Sequence, residues 1–201
     1  MASSSSSGRT PLPRLATLTD LLSIDEEDRF HEVLDGEVVP KESAGFKHGL
    51  GQSSVTRLLG RFHGRPNGPS RPGGWWILTE ATIRLSPHQI VQPDLAGWRR
   101  ERLPQPPEDY PVPLRPDWIC EIHCAKDAKR RDTLQKRRIY AEAGVPHYWL
   151  VDADDETLTV LRLAEGTYAE VLTAGRGETV RAEPFDALEL AVGALFGDDP
   201  S

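Results

Sequence analysis

Two carboxylates lie inside short apolar runs of the sequence, where they are candidates for chemistry. Glu121 belongs to the run Trp118–Cys124, and Asp94 belongs to the run Val91–Ala96. The first run is typical of a β-strand, in which side chains alternate between faces, so Glu121 and His123 are expected on one face. A buried carboxylate is costly unless it is paired or bound to a metal. Two of them on neighbouring strands would suit Mg²⁺, which prefers a few carboxylates together with water and substrate oxygens.

A lysine follows on a helix predicted over residues 129–143. Asp132 and Lys136 are four positions apart on this helix and therefore face the same way. A divalent ion polarises a phosphate and lowers the pKa of a bound water, and a lysine beside that water stabilises the developing negative charge. Together with Asp94 and Glu121, Lys136 therefore supplies what the hydrolysis of a phosphodiester needs.

Each of these residues also has an ordinary structural explanation. Glu121 alone would suit the solvent face of a sheet, and Asp94, which follows Pro93, would suit a turn. Asp132 and Lys136 alone would form an exposed ion pair worth about 0.3–0.5 kcal/mol. The chemical interpretation therefore depends on the three pieces meeting in one pocket.

The charge of the chain is unevenly distributed. It has 24 Lys and Arg against 31 Asp and Glu, a formal net charge of −7, which excludes a basic coat over the whole surface. Residues 126–138 nevertheless contain seven basic residues and two Asp, a net charge of +5 that leaves −12 for the rest. This segment predicts contacts with DNA phosphates. Its candidate DNA-binding residues are Lys126, Lys129, Arg130, Arg131 and Arg137.

The predicted elements indicate a mixed α/β or α+β fold. Asp35-Gly36 between two alternating runs predicts a β-hairpin, and residues 47–63 have the apolar spacing of a helix. A short helix is expected to begin at Thr19 or Asp20 as its N-cap. The helix over 129–143 lies between two strands, so the sheet must be partly parallel there. The further predicted strands are Trp75–Leu78, Thr82–Leu85, Ile90–Trp98, Trp118–Cys124, His147–Asp152, Leu158–Leu163 and Tyr168–Leu172.

The length of 201 residues is that of one ordinary domain. The Ser- and Pro-rich residues 1–16 predict a disordered tail, residues 17–197 a single domain, and residues 198–201 a short C-terminal tail. No apolar run approaches the ~20 residues that span a bilayer, and the N-terminus lacks the apolar core of a signal peptide. A cytoplasmic protein with no membrane partner is therefore expected.

Several of these pieces occur in a recognisable chain order. The sequence resembles the Uma-type restriction endonucleases of bacteria, within the PD-(D/E)XK nuclease superfamily. Pro93-Asp94 resembles the PD element, and Glu121 lies on the following strand, like the family's glutamate. The resemblance covers roughly residues 18–197. The other matching pieces are the opening hairpin Phe30–Val39, His48 at the start of the next helix, the set Asp132, Lys136 and Tyr140, and the most specific run, Gly144–Asp152.

The resemblance implies a restriction-endonuclease-like core, a mixed central β-sheet flanked by helices, and DNA cleavage that depends on Mg²⁺ or Mn²⁺. Asp94 and Glu121 would bind the metal. The superfamily's lysine normally lies two residues after the glutamate, where this chain has His123. Lys136 would therefore take the role of that lysine, with His123 as a further catalytic residue. The additional site residues that the resemblance implies are Glu37 and His48.

The chain departs from the family's pattern directly after this strand. Family members usually have a Ser-Pro-Ser-like turn, whereas this chain has Cys124-Ala125-Lys126-Asp127. His123 would either donate to a phosphate or mark a degraded site. The first hypothesis is a metal-dependent endodeoxyribonuclease, and the second is a nuclease-fold module that has lost turnover and binds DNA or a protein partner. A hydrolase of small phosphorylated molecules is a third. A homodimer is also expected, because such nucleases often use two sites for two strands.

Overall fold

The structure is a computed structural model that describes residues 14–25, 30–41, 45–68, 70–124 and 132–199. The strands of the described chain are β1 (His31–Leu34), β2 (Glu37–Pro40), β3 (Trp75–Thr79), β4 (Ile83–Ser86), β5 (Gln89–Val91), β6 (Leu95–Arg99), β7 (Trp118–His123), β8 (His147–Asp152), β9 (Thr157–Ala164), β10 (Thr167–Gly175), β11 (Thr179–Val180) and β12 (Leu190–Ala191). The helices are α1 (Leu18–Leu22), α2 (Phe46–Leu59), a π-helical turn (Asp132–Lys136) that continues as α3 (Arg137–Glu142), and a 3₁₀ helix (Val192–Phe196).

Two β-sheets form the framework of the described residues. The larger sheet has the strand order β10-β9-β8-β7-β6-β3, and the smaller has the order β2-β1-β5-β4. Neighbouring strands are antiparallel except β7 and β8, which are parallel. α3 lies in the crossover between these two strands, as a parallel pair requires. The predicted mixed α+β fold is therefore confirmed.

The larger sheet separates two apolar clusters. On one face, Val55 of α2 packs in a cluster with Cys120 and Ile122 of β7. The opposite face is covered by α3 and the smaller sheet, whose buried side chains pack with Ile119. Because side chains alternate along a strand, Glu121 lies on this second face.

The predicted hairpin joins β1 and β2. Asp35 and Gly36 both have left-handed backbone conformations, with φ of 54° and 75°, as the two-residue turn favoured in hairpins requires. The N–H of Ala16 donates to the carbonyl of Gly36, so the last residues of the predicted N-terminal tail contact the turn. Residues 1–13 of that tail, like residues 200–201, lie outside the described residues.

The prediction of one strand over Ile90–Trp98 is wrong. The chain forms β5 in the smaller sheet and β6 in the larger one, with Pro93 and Asp94 between them. Proline has no N–H to give to a sheet ladder, so it suits the point where the chain leaves one sheet for the other. This break places Asp94 at the junction of the two sheets.

The helices also differ in their bounds from the prediction. Thr17 is the N-cap of α1, rather than Thr19 or Asp20, because Asp20 instead accepts the N–H of Thr17 in a capping box. The predicted helix over residues 129–143 is described from residue 132 and ends before Gly144, whose φ of 76° suits the end of a helix. None of the described helices has the length and apolar character needed to cross a membrane.

Candidate active site

Asp94 and Glu121 lie on the same face of the larger sheet, and both are buried. β6 pairs with β7 so that Leu95 is opposite Cys120. Continuing that register by one residue places Asp94 opposite Glu121, and opposite residues on antiparallel strands have Cβ atoms about 4.5–5.5 Å apart. Asp94 is fixed further by its Oδ2, which accepts the N–H of Ile122 at 2.7 Å. The fold thus brings the two predicted residues onto facing positions, while Glu121 lies outside the group of metal-ligand atoms that includes Asp94.

Three charged or titratable side chains surround Asp94. Lys41 Nζ lies 3.0 Å and His48 Nε2 lies 3.2 Å from Asp94 Oδ1. Lys41 Nζ also donates to Glu80 Oε2 at 2.6 Å. One ligand atom each from His48, Glu80 and Asp94 lies within 4.8 Å of the other two. Lys41, His48, Glu80 and Asp94 are called the Asp94 group below.

Three strands and the start of α2 position the Asp94 group. Gln52, one turn after His48 on α2, donates to Glu80 Oε1 at 2.9 Å and to the carbonyl of Asp94 at 3.1 Å. Glu80 has a left-handed φ of 52°, a conformation that costs a residue with a side chain about 1–2 kcal/mol. Its N–H donates to the Asp94 carbonyl, and its own carbonyl accepts from Gln92 Nε2. These bonds hold the strained residue beside the buried carboxylate.

The charges of the Asp94 group stabilise one another. Burial would raise the pKa of Asp94, but His48 and Lys41 outweigh it and hold that pKa well below its ordinary value. Burial would lower the pKa of Lys41, but the carboxylates of Asp94, Glu121 and Glu80 raise it above its ordinary value. Contact with Asp94 raises the pKa of His48 against the effect of burial. Asp94 and Lys41 are therefore charged at neutral pH.

A second set of charged groups surrounds Glu121. Lys136 Nζ lies 2.9 Å from Glu121 Oε1 and 3.0 Å from Glu32 Oε2. The hydroxyl of Tyr140 donates to the same Glu121 Oε1 at 2.6 Å. The exposed fractions of the Glu32, Glu121 and Lys136 side chains are only 1%, 2% and 3%. Glu32, Glu121, Lys136 and Tyr140 are called the Glu121 group below.

The backbone of Gln92 joins the two groups. Its N–H donates to Glu32 Oε1 at 2.7 Å, and its carbonyl accepts from Lys41 Nζ at 2.8 Å. Gln92 lies in the break between β5 and β6, so the passage of the chain from one sheet to the other also connects the two sets of charges. The Asp94 group and the Glu121 group therefore form one continuous polar network.

Three residues of the Asp94 group, His48, Glu80 and Asp94, could hold a metal ion. Asp94 Oδ1 is buried and has no aligned hydrogen-bond donor, although Lys41 and His48 lie close to it. Carboxylate oxygens such as those of Asp94 and Glu80 suit Mg²⁺ and Mn²⁺, whereas an imidazole is a ligand of transition metals. Glu80, which sequence reasoning missed, thus joins Asp94 and His48 in a donor set suited to a metal ion.

Of the other predicted site residues, His123 is buried and Glu37 is exposed. His123 is buried on β7, two residues after Glu121 and therefore on the same face. Glu37 is exposed on β2, and no hydrogen bond or ion pair of its carboxylate is found in the described part of the chain. On the neighbouring strand, Glu32 is buried and contacts Lys136. The hairpin thus contributes Glu32, rather than Glu37, to the network.

The predicted DNA-binding segment lies largely outside the described residues. Of its candidates, only Arg137 is described, and its guanidinium donates to the carbonyl of Tyr168. The next residue, Arg138, pairs with Asp35 and Glu142. These two arginines thus hold the helix in place. The candidates outside the described residues are Lys126, Lys129, Arg130 and Arg131.

Sequence reasoning missed three charged residues of the network. Glu32 lies within the alternating run that forms β1, Lys41 follows β2, and Glu80 follows the apolar run that forms β3. Each is a charged residue within or directly beside a strand, the same signal that drew attention to Asp94 and Glu121. Applied to every strand, that signal would have found them.

The chain is similar to one protein family and to a solved nuclease structure. The family described as "Uma2: Putative restriction endonuclease" matches residues 15–193. Among solved structures, the chain is similar to "a putative nuclease belonging to DUF820 from Anabaena variabilis ATCC 29413", with a TM-score of 0.63 and 21% sequence identity over 90% of this chain and 97% of that chain. At this identity the likeness shows a shared fold. No curated protein matches the chain.

Proposed function

The chain belongs to the Uma2 family, and we propose that it is a metal-dependent endonuclease that hydrolyses phosphodiester bonds of DNA. The observation that supports this most strongly is the meeting of Asp94, Glu121 and Lys136 on one face of the sheet. Their separations in sequence are 27 and 15 residues. In support of the proposal, Leu95 and Cys120, the neighbours of the two acids, pair across β6 and β7, and Lys136 Nζ lies 2.9 Å from Glu121.

Asp94 is the first metal ligand in this proposal. Glu80 and His48 would hold the ion with it, and Glu121 would face the ion from the neighbouring strand. When bound, Mg²⁺ or Mn²⁺ would polarise the phosphate and lower the pKa of a coordinated water. The imidazole of His48 favours Mn²⁺ over Mg²⁺, because Mg²⁺ takes oxygen ligands almost exclusively.

Lys136 stabilises the negative charge that develops on the phosphate. Its ammonium is held between Glu32 and Glu121, so it needs little reorganisation when the reaction begins. The Tyr140 hydroxyl fixes the same Glu121 oxygen from another direction. In this proposal His123, on the same face as Glu121, would donate to a phosphate oxygen.

Cleavage of a supercoiled plasmid tests the proposal. The wild type should nick or linearise the plasmid with Mn²⁺ or Mg²⁺ and leave it intact in EDTA. Asp94→Asn and Glu121→Gln should each lower the rate on the order of 100-fold or more, because Asp94 would hold the ion and Glu121 holds Lys136. Glu37→Gln is the matched control: it also neutralises a glutamate, but one that is exposed on β2.

Full activity in both Asp94→Asn and Glu121→Gln would contradict the proposal. The alternative of an inactive binding module would be favoured if the wild type binds DNA in a salt-sensitive way but fails to cut it, whichever divalent metal is added. Hydrolysis of a small phosphodiester without any binding of DNA would favour a small-molecule hydrolase. The first product of plasmid cleavage also tests the expected homodimer. Linear DNA formed without a nicked intermediate indicates that two active sites cut the two strands together.

A further inference from the structure

One long stretch of the chain carries positive charge and no negative charge. Residues 43–79 contain four arginines and one lysine but neither Asp nor Glu, in a chain with 31 acidic residues. The stretch includes α2 and the loop that leads to β3. The arginines within it are Arg57, Arg61, Arg65 and Arg71.

The fold brings two further arginines to this loop. Arg99, the last residue of β6, lies opposite Trp75, the first residue of β3. The N–H of Arg100 donates to the carbonyl of Gly74, whose N–H in turn donates to the carbonyl of Gly64. The end of β6 and the loop therefore form one corner of the molecule. The arginine face is defined as Arg57, Arg61, Arg65, Arg71, Arg99 and Arg100.

The arginine face has no counter-charge. In the described part of the chain, no carboxylate oxygen lies within 4.0 Å of a guanidinium nitrogen of these six arginines, whereas most other described arginines pair with an acid. Asp117 accepts the backbone N–H of Arg99 at 2.8 Å, and its own closest ion pair is with Arg102. Arg162, for example, contacts Glu183 at 3.0 Å, and Arg181 contacts Glu189 at 2.9 Å. The guanidinium groups at this corner thus have no ion pair among the described residues, so their charges are available to an external anion.

Two arginines of the face are stacked on tryptophans. Arg99 Cζ lies 4.6 Å from the centroid of the Trp75 ring, and Arg100 Cζ lies 3.7 Å from that of Trp76. Stacking restrains a planar guanidinium while leaving its edge free to donate. Arginine held in this way is suited to bidentate bonds with phosphate.

The arginine face lies along β6 from the candidate active site. Asp94 directly precedes this strand and Arg99 ends it, which corresponds to about 17 Å at ~3.4 Å per residue. A DNA duplex rises 3.4 Å per base pair, so the two points are about five base pairs apart. We propose that the arginine face binds the sugar–phosphate backbone of the DNA on one side of the cleavage point. This inference rests on the proposed function for its ligand.

The salt dependence of DNA binding tests the arginine face. Fluorescence anisotropy of a labelled duplex, measured in EDTA to prevent cleavage, would give the slope of log affinity against log salt for each protein. Arg65→Gln/Arg71→Gln removes two exposed, unpaired arginines, and should lower the slope by about two and weaken binding about tenfold. The matched control, Arg162→Gln/Arg181→Gln, removes the same charge from exposed ion pairs and should keep the wild-type slope. Thermal unfolding verifies that both variants fold.

Equal slopes for the two double variants would overturn the inference. A second result would also overturn it: Arg65→Gln/Arg71→Gln binds phosphatidylserine vesicles more weakly than the wild type, but binds the duplex with wild-type affinity. The arginine face would then recognise a membrane. The plasmid assay separates this inference from the proposed function. Normal cleavage with unchanged affinity in Arg65→Gln/Arg71→Gln rejects only the arginine face. If that variant binds the duplex more weakly and the wild type fails to cut DNA with any divalent metal tested, only the proposed nuclease function is rejected. A wild type without affinity for the duplex rejects both.

Discussion

The two charged groups of the candidate site differ in their access to water. In the Glu121 group, Glu32 and Lys136 are almost completely buried. In the Asp94 group, the exposed fraction is 34% for Glu80, 13% for His48 and 10% for Lys41. One half of the network is therefore closed, and the other half opens to an ion or a substrate from solution.

Two equally buried carboxylates, Asp94 and Glu121, can therefore have different roles. Glu121 Oε1 receives donors from Lys136 and Tyr140, so its position is determined by the protein alone. Asp94 Oδ1 contacts Lys41 and His48 in a group whose Glu80 reaches water, so a further ligand can approach this group from solution. We interpret the Glu121 group as the part that fixes Lys136, and the Asp94 group as the part that binds a divalent ion.

The largest expected effect comes from removing the lysine of the closed half. Lys136→Met should lower the free energy of unfolding by about 3–5 kcal/mol, because Glu32 and Glu121 would stay buried without their cation. Lys41→Met should cost clearly less, because Glu80 reaches water. Urea denaturation of the two variants measures the difference.

An exposed lysine serves as the control for this comparison. Lys47 pairs with Asp154 at 2.9 Å, but both side chains are more than half exposed. Lys47→Met should therefore change the free energy of unfolding by no more than about 1 kcal/mol. Equal losses for Lys136→Met and Lys41→Met would show that the two halves do not differ as described.

A divalent ion should stabilise the protein by binding to the Asp94 group, the open half of the network, and not to the Glu121 group. Mn²⁺ at 100 times its Kd should stabilise the folded protein by about 2.7 kcal/mol, and raise the melting temperature by roughly 2–4 °C per kcal/mol. Glu80→Gln should reduce this shift, since it removes a proposed ligand, whereas Tyr140→Phe should keep it. Differential scanning calorimetry with and without Mn²⁺ gives the shifts. A shift that survives Glu80→Gln and disappears in Tyr140→Phe would reverse the assignment of the two halves.

The smallest expected effect concerns a single hydrogen bond of the closed half. Tyr140→Phe should lower the free energy of unfolding by about 1.5 kcal/mol, because a buried bond to a charged oxygen is lost while Lys136 still contacts that oxygen. Urea denaturation would detect this loss. A change below about 0.5 kcal/mol would show that the Tyr140 hydroxyl contributes little to the position of Glu121.

Local patterns in the sequence were sufficient for part of the site. Asp35-Gly36 predicted its hairpin because few residues other than glycine and asparagine or aspartate accept a left-handed turn. The alternation along Trp118–Cys124 placed Glu121 on the face opposite Cys120, which the two apolar clusters confirm. Both signals depend only on neighbouring residues.

Pairing between distant strands determined the rest. The periodicity of Ile90–Trp98 suggested one strand, but its two halves pair with different partners, and only Pro93 indicated the break. The hairpin offers two glutamates, and local pattern cannot tell that Glu32 faces Lys136 while Glu37 faces solvent. Such choices are made by contacts across long sequence distances.

Four of the six arginines of the face, those of residues 43–79, were missed for a related reason. Sequence reasoning looked for a dense run of basic residues and found residues 126–138. The arginines of residues 43–79 are spread out, and their common feature is the absence of acids around them. Two further members, Arg99 and Arg100, join them only because β3 pairs with β6.

The most direct test of the account is anomalous diffraction from crystals grown or soaked with Mn²⁺. The proposed metal site should give an anomalous peak about 2.0–2.5 Å from Asp94 Oδ1, with Glu80 or His48 as a second ligand. Mn²⁺ bound only to surface carboxylates away from Asp94, at a concentration that supports cleavage, would contradict the claim that these residues form a metal-dependent nuclease site.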